Sequence, residues 1–274
     1  MLLSPLIILG ALALVLIISG LFEFRYHQHT LANLPVRIHV NGTRGKSSVT
    51  RLIAAGLRAG GRRTFAKTTG TAPRVIDAQG IDRIIHRLRR PSIGEQVRLL
   101  KYFASEKPDV VVMECMAVQP QYQWISEHQM VKSQIGVITN ARPDHLDEMG
   151  PTEVDVVKSL CNSIPIEGTI VTAEEKHKHI IESVAKSNRS EMLFSEEKSV
   201  TDSELNKFKY IEHPQNIAIA LDVCRKMGVS RDAALGGMHS VQPDLGALVV
   251  WKLLCTKGTL QFVNGMAAND PVST

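Results

Sequence analysis

The stretch Val36–Thr50, V-R-I-H-V-N-G-T-R-G-K-S-S-V-T, limits the folds open to this chain more than any other. It reads as a short apolar strand, a turn with two glycines, and then Lys46-Ser47-Ser48 opening a helix. Gly42 and Gly45 let the backbone turn its N–H groups toward an anion, and the helix adds the positive end of its dipole. Such a turn suits phosphate. Lys46 has the reach to bridge phosphate oxygens, and the Ser47 hydroxyl suits Mg²⁺. The strict eight-residue nucleotide pattern is not met, because Val40 stands where that pattern has glycine; the shorter G-T-x-G-K-[ST] form is met. The same residues also suit a glycine turn capped by serine, so the rest of the chain decides.

The N-terminus sets location. From Leu2 to Phe22 no side chain is charged, and as a helix these residues span about 31 Å, one bilayer core. A cleavable signal peptide has a basic leading region and a small-x-small cleavage site. Here nothing basic precedes the run, and L-F-E-F-R-Y follows it. Residues 1–22 are therefore expected to form an uncleaved single-pass membrane anchor, with a linker over 23–35. Arg25 and Arg37 follow the run, so the positive-inside rule places the body on the cytoplasmic side of the cell membrane.

At 274 residues, 44% hydrophobic and 22% charged, the chain has the material for a sizeable core. The net charge of +5 is uneven: Arg83, Arg87, Arg89, Arg90, Arg98 and Lys101 crowd one stretch. That stretch suits a solvated face, or contact with an anionic leaflet or a polyanionic product. No aromatic residue interleaves before Tyr102, which argues against a single-stranded nucleic acid partner. Cys115, Cys161, Cys224 and Cys255 are far apart with no C-x-x-C pair, a spacing for buried, reduced thiols rather than a zinc site or a disulfide framework.

After the linker, strand and helix signals alternate, which predicts an α/β fold with a mostly parallel sheet covered by helices. Strands are expected at 36–40, 64–66, 110–113, 135–139 and 169–171, with a hairpin of 249–254 and 259–263. Helices are expected at 47–59, 93–104, 122–128, 151–164, 174–186, 213–227 and 231–238, and 74–92 reads as irregular. Three apolar strands hand over to polar groups: Asn41 with its loop, Glu114, and Asn140 with Asp144-His145. Ligands of open parallel sheets bind at the carboxyl ends of strands, so Glu114 and His145 are expected to converge on the glycine turn, there to serve a divalent cation.

G-T-R-G-K-S-S at 42–48, V-V-V-M-E at 110–114, I-T-N-A-R-P-D-H-L-D-E-M-G at 138–150 and H-P-Q-N-I-A-I-A at 213–220 occur in that order. Together they resemble the central domain of the Mur-type amide ligases, which include the folylpolyglutamate synthetases. Within that superfamily, the anchor, K-T-T-G-T at 67–71, I-G-E-Q at 93–96, E-C-M-A-V at 114–118 and F-V-N-G-M-A-A-N-D at 262–270 are similar to the ATP-dependent subunits of poly-γ-glutamate (capsule) synthetases.

The resemblance implies a Mur-ligase-type central ATPase domain over 36–274, with ATP and Mg²⁺. Lys46 would hold the β- and γ-phosphates, inside a loop of Gly42, Thr43, Gly45, Ser47 and Ser48. Ser47 would take a first metal, and Glu114 and His145 a metal bridging the γ-phosphate and the acceptor carboxylate; Thr69 is a further metal candidate. Asn216 matches the family's adenine-binding asparagine, and Asn269 with Asp270 falls near the nucleotide. Lys46, Glu114 and His145 would be the catalytic set, and glutamate with a poly-γ-glutamate chain the substrates. Small membrane subunits of a synthesis and export complex would be partners. Two departures are visible. Lys158 lies too soon after Asp144-His145 to match the family's carbamylated lysine. The chain stops at Thr274, so the family's third, C-terminal domain is expected to be absent from it. Another Mur-type or folylpolyglutamate ligase, and an ATP-binding subunit without ligase activity of its own, stay open as alternatives.

Overall fold

Apolar runs too short for helices, set between longer amphipathic periods, can bury both faces only as a sheet covered on both sides. A computed structural model shows this arrangement and describes residues 5–70, 72–87, 91–243, 249–255 and 258–264. Helix α1 (Pro5–Ala32) precedes β1 (Val36–Asn41) and α2 (Lys46–Ala59). Strands β2 (Thr64–Thr68), β3 (Arg74–Ile76) and β4 (Asp82–Ile84) lead to α3 (Gly94–Ser105) and β5 (Val110–Glu114). Next comes α4 (Pro120–Ile125), which continues as a π-helical segment over Ser126–Val131. Then come β6 (Ile135–Ile138), α5 (Leu146–Met149), α6 (Glu153–Leu160), β7 (Thr169–Thr172), α7 (Lys178–Ser187), β8 (Glu191–Phe194) and α8 (Asp202–Leu205). Helices α9 (Pro214–Lys226) and α10 (Arg231–His239) precede the hairpin of β9 (Val249–Cys255) and β10 (Gly258–Asn264).

The main sheet has the order β4-β3-β2-β5-β1-β6-β7-β8. β2, β5, β1, β6, β7 and β8 run parallel, and β3 with β4 add an antiparallel edge. From β1 the chain moves to one side for β2, returns for β5, and crosses to the other side for β6. The carboxyl end of β1 is thus the point where the winding reverses, the place such sheets leave a crevice for a ligand.

Strand alternation assigns the two faces. Val110 and Val112 of β5 join Leu52, Ile53, Ile217 and Leu235 under α2, α9 and α10. Val111 and Met113 join Leu100, Phe103 and the foot of α1. Ile138 and Ile170 pack with Val156, Leu160 and Ile181 of α6 and α7. Burying each such aliphatic side chain stabilises the fold by about 2 kcal/mol.

In β1 the same alternation turns Ile38 and Val40 toward α2 and Arg37, His39 and Asn41 toward α4 and its π-helical extension. Three polar rungs result. Asn41 Nδ2 donates to Gln123 Oε1 at 2.8 Å. His39 Nδ1 and Glu127 Oε2 form a fully buried pair at 2.8 Å. Arg37 donates to the carbonyls of Leu31, Leu34, Val131 and Lys132 at 2.5–3.1 Å.

The Arg37 rung corrects two expectations. Arg37 was counted among the charges flanking the membrane run, yet it is buried and its guanidinium caps the carboxyl end of α1. The linker expected over 23–35 is helical as far as Ala32, and His27, Thr30 and Leu31 of this part are buried. The apolar helix therefore enters the body without a flexible joint, held also by His27 Nε2 to the Met130 carbonyl at 2.8 Å and Lys132 Nζ to Gln28 Oε1 at 2.9 Å. Replacing Arg37 by Ala strands four carbonyls, and thermal unfolding of the detergent-solubilised chain is expected to report a loss of about 3 kcal/mol. A change below about 0.5 kcal/mol, the scale of surface substitutions, would mean the staple is dispensable.

Other departures have local causes. β3 and β4 lie inside the stretch expected to be irregular, because three-residue strands are too short to show alternation. Lys67 and Thr68, beyond the strand expected at 64–66, close β2 and are fully buried. β8 is a further edge strand with a mixed pattern. α6 starts at Glu153, where Thr152 and Asp155 form a reciprocal capping box, and α7 starts only at Lys178. Cys115, Cys161 and Cys224 are buried as expected, whereas Cys255 is exposed.

Candidate functional site

The chain turns immediately after Asn41. Gly42 has φ +133°, and a Cβ there would lie 2.0 Å from the Thr139 hydroxyl; Gly45 has φ +78°, and a Cβ there would lie 2.7 Å from Asn216 Oδ1. Both glycines are therefore required by backbone conformation and by close neighbours. The exit of β6 clamps the turn from one side. Thr43 Oγ1 donates to Asn140 Oδ1 at 2.7 Å and the Arg44 N–H to the same oxygen at 3.1 Å. Thr139 Oγ1 donates to the Arg44 carbonyl at 2.6 Å. The loop is thus shaped by the protein before any ligand arrives. Thr139 and Asn140 hold it, a role that strand-end polarity hinted at for Asn140 alone.

Lys46 opens α2 and folds back across the turn, its Nζ donating to the carbonyls of Gly42 at 2.7 Å and Thr43 at 3.1 Å. Ser47 Oγ donates to Glu114 Oε2 at 2.8 Å, and the Thr69 N–H donates to that same oxygen at 2.7 Å. Three strand ends, those of β1, β2 and β5, meet at this carboxylate, which is buried. A cavity of about 260 Å³ opens beside it, lined by Gly42, Thr43, Lys46, Thr69, Asp144 and His145 among others. His145 has φ +47°, a half-exposed side chain, and Asp144 Oδ1 at 3.9 Å from its Nε2.

The expected residues therefore fall into groups. Gly42, Thr43, Lys46, Thr69 and His145 share the cavity, and Ser47 and Glu114 are bonded to each other at its edge. Ser48 lies partly buried in the first turn of α2. Asn216 is buried against Gly45, its Nδ2 donating to Glu212 Oε1 at 2.8 Å; burial holds the Glu212 carboxyl above its ordinary range. Asn269 and Asp270 lie outside the described residues. Lys158 is exposed on α6.

Beside the site lies a charged group that pattern reading passed over. Lys67 Nζ, fully buried, is 3.6 Å from Glu95 Oε1. Arg87 Nε and Nη2 grip Glu95 with two bonds of 2.7 and 2.9 Å, and Arg87 lines the cavity. Burial lowers the Lys67 pKa, against the opposing pull of Glu95 and Glu114. The basic stretch is thus no uniform solvated face: Arg87 turns inward and Arg83 bonds Asp77 at 3.4 Å, while Arg89 and Arg90 lie outside the described residues. Only the I-G-E-Q and K-T-T-G-T strings carried a signal for this group.

Among the described residues no cluster of three or more His, Cys, Asp or Glu side chains is close enough to cage a metal. The Ser47 hydroxyl and the Glu114 carboxylate do form an oxygen pair. Glu114 Oε1 has no hydrogen-bond partner among the described residues, unlike Oε2. That pair suits a hard cation drawing its other ligands from phosphate and water.

Residues 40–250 match the family model of the Mur ligase middle domain. The chain is 37% identical to the capsule biosynthesis protein CapB of Bacillus anthracis, over all of this chain and 59% of that protein. It is 36% identical to the PGA synthase CapB of Bacillus subtilis (strain 168), over 95% of this chain and 67% of that protein. The chain thus spans about three-fifths to two-thirds of these relatives. Among solved structures, the bifunctional folylpolyglutamate synthase/dihydrofolate synthase of Yersinia pestis, complexed with AMPPNP and Mn ion, superposes with a TM-score of 0.60 at 18% identity, covering 81% of this chain and 61% of that one. At that identity the likeness speaks to the fold.

Proposed function

We propose a ligase reaction on one premise: the chain belongs to the Mur ligase family, by its middle domain. On this reading it is the ATP-dependent part of a poly-γ-glutamate synthetase. The γ-carboxylate of the growing chain attacks the γ-phosphorus of ATP, giving an acyl phosphate and ADP. The amino group of an incoming glutamate then attacks the acyl carbon, phosphate leaves, and an amide remains. The observation that carries the reading is the meeting of Ser47, Glu114 and the Thr69 N–H beside Lys46 at the switch point of the sheet.

Each residue has a physical task in that reaction. A carboxylate and a triphosphate repel, so positive charge must be in place before they approach. The Lys46 ammonium supplies it, exchanging its two loop carbonyls for phosphate oxygens. The turn from Gly42 to Gly45 and the start of α2 present N–H groups and a positive dipole end to the same anion. Asn216, buried against Gly45, would meet the nucleotide base. Ser47, Glu114 and His145, with Thr69 beside them, would hold Mg²⁺, which when bound neutralises the charge on phosphate and acceptor carboxylate. Glu114 is oriented by the Ser47 and Thr69 donors. No serine or cysteine nucleophile is needed, because in-line phosphoryl transfer rests on positioning and charge.

α1 is the one described helix long and apolar enough to cross a membrane. We read it as a single-pass anchor that holds the body at the cytoplasmic face of the cell membrane, where ATP is. Small membrane subunits that carry the polymer onward are the partners this arrangement calls for.

Membranes carrying the chain, given ATP, Mg²⁺ and a poly-γ-glutamate primer, are expected to release phosphate only when glutamate is added. ATP binding without glutamate-dependent release, even with membranes of a polymer-producing host, would reject the ligase reading and leave a nucleotide-binding subunit.

A further inference from the structure

A second cavity, larger than the one at the glycine turn, lies elsewhere in the described chain. It measures about 590 Å³ and lies between α2, the β3–β4 edge and the end of α10, lined by Arg51, Arg58, Ile76, Gln79, Asp82 and Ser240 among others. Among the described residues, its lining carries the guanidiniums of Arg51 and Arg58 and the carboxylate of Asp82. Arg51 Nη1 is 2.8 Å from Asp82 Oδ2, and Arg74 Nη1 is 3.7 Å from the same oxygen. Arg83 pairs with Asp77. Arg58 makes a single hydrogen bond, from Nη1 to the Thr64 carbonyl at 3.3 Å, and no carboxylate lies within ion-pair distance of it among the described residues. Burial lowers the Arg58 pKa to about 10, with Asp77 and Asp82 pulling the other way, so this guanidinium is desolvated and under-bonded. A guanidinium in that state is a receptor for carboxylate.

We propose that this cavity is a second binding site, which takes a segment of an acidic chain through a carboxylate that meets Arg58. The identity of the chain as polyglutamate rests on the ligase reading above. Ser47, Arg51, Ala55 and Arg58 follow one another at i, i+4, i+8 and i+11, a single stripe of α2. The stripe joins the cavity to the helix end that carries the phosphate-loop residues. Arg58 lies about 16 Å along the axis from Ser47, the length of a few polymer units. A segment held here would keep the growing chain on the protein between additions while its end turns over at the other site. The polyanion contact suggested by the basic stretch is thereby assigned to a different surface, built on α2.

The test uses the full chain in detergent and a fluorescent poly-γ-glutamate ten-mer, without nucleotide, read by anisotropy at low salt. Arg58→Gln is expected to weaken ten-mer binding about tenfold, the size of one charge-assisted bond pair, with ATP affinity unchanged. Gln79→Glu, at an exposed position on the cavity rim, adds one negative charge and is expected to weaken it severalfold; it serves if Arg58→Gln folds poorly. Ten-mer binding unaltered by both variants, or no ten-mer binding by the parent chain, overturns the proposal. So does displacement of the ten-mer by inorganic phosphate at equal charge concentration, which would mark a simple anion hole. Loss of glutamate-dependent turnover in the parent chain would instead count against the ligase reading, because the ten-mer measurement needs no turnover.

Discussion

Lys46→Ala is expected to lower glutamate-dependent phosphate release by roughly a hundred- to a thousandfold, the effect of removing one preorganised charge from a phosphoryl-transfer site. The prediction follows from what Lys46 does in the structure. Its ammonium bridges the Gly42 and Thr43 carbonyls, so it braces the turn besides supplying charge to phosphate. Its loss should therefore loosen the turn and weaken nucleotide binding together. Lys46→Arg is not expected to rescue activity, because a planar fork cannot fit between two carbonyls of one tight turn as a compact ammonium does. Phosphate release and the affinity for a non-hydrolysable ATP analogue, measured side by side, check both statements. A variant that releases phosphate at the parent rate would remove Lys46 from the site.

The parts of this arrangement that the sequence shows are those with strong local chemistry. G-T-R-G-K-S-S announces its own turn, because glycines at left-handed positions and a lysine at a helix start leave few alternatives. The fully apolar V-V-V-M run announces a central strand, and the hand-over to Glu114 follows once the sheet is parallel. Long-range pairings were not legible. Nothing local says that Arg37 caps a helix that ends five residues before it, or that Glu95 joins Lys67 to Arg87. β3 and β4 escaped because three residues carry no period, and the linker became helix because its polar residues face both the body and solvent. The large cavity escaped for the same reason: Arg51 and Arg58 read as the polar side of an amphipathic helix until β4 and α10 are placed against them.

Glu114→Gln is the sharper test of the chemistry, because it changes charge with almost no change in shape. The amide oxygen of the glutamine can still accept from Ser47 Oγ and the Thr69 N–H, the two bonds that Glu114 Oε2 accepts now. Fold and phosphate loop should therefore survive, and ATP affinity should change by less than about threefold, since that loop holds the nucleotide. What is lost is the negative charge that would hold the cation at the reacting phosphate. That charge matters most as the carboxylate and phosphate come together, so the loss should fall on turnover, by about a hundredfold or more. His145→Ala should show the same split more weakly, because its side chain is half exposed and lies 3.9 Å from the Asp144 carboxylate. Equilibrium binding of the ATP analogue, set against single-turnover phosphate release, separates the two terms. If affinity and turnover fall by the same factor in Glu114→Gln, the carboxylate is a strut that ties Ser47 to Thr69. Its place at three strand ends would then be architecture and not catalysis.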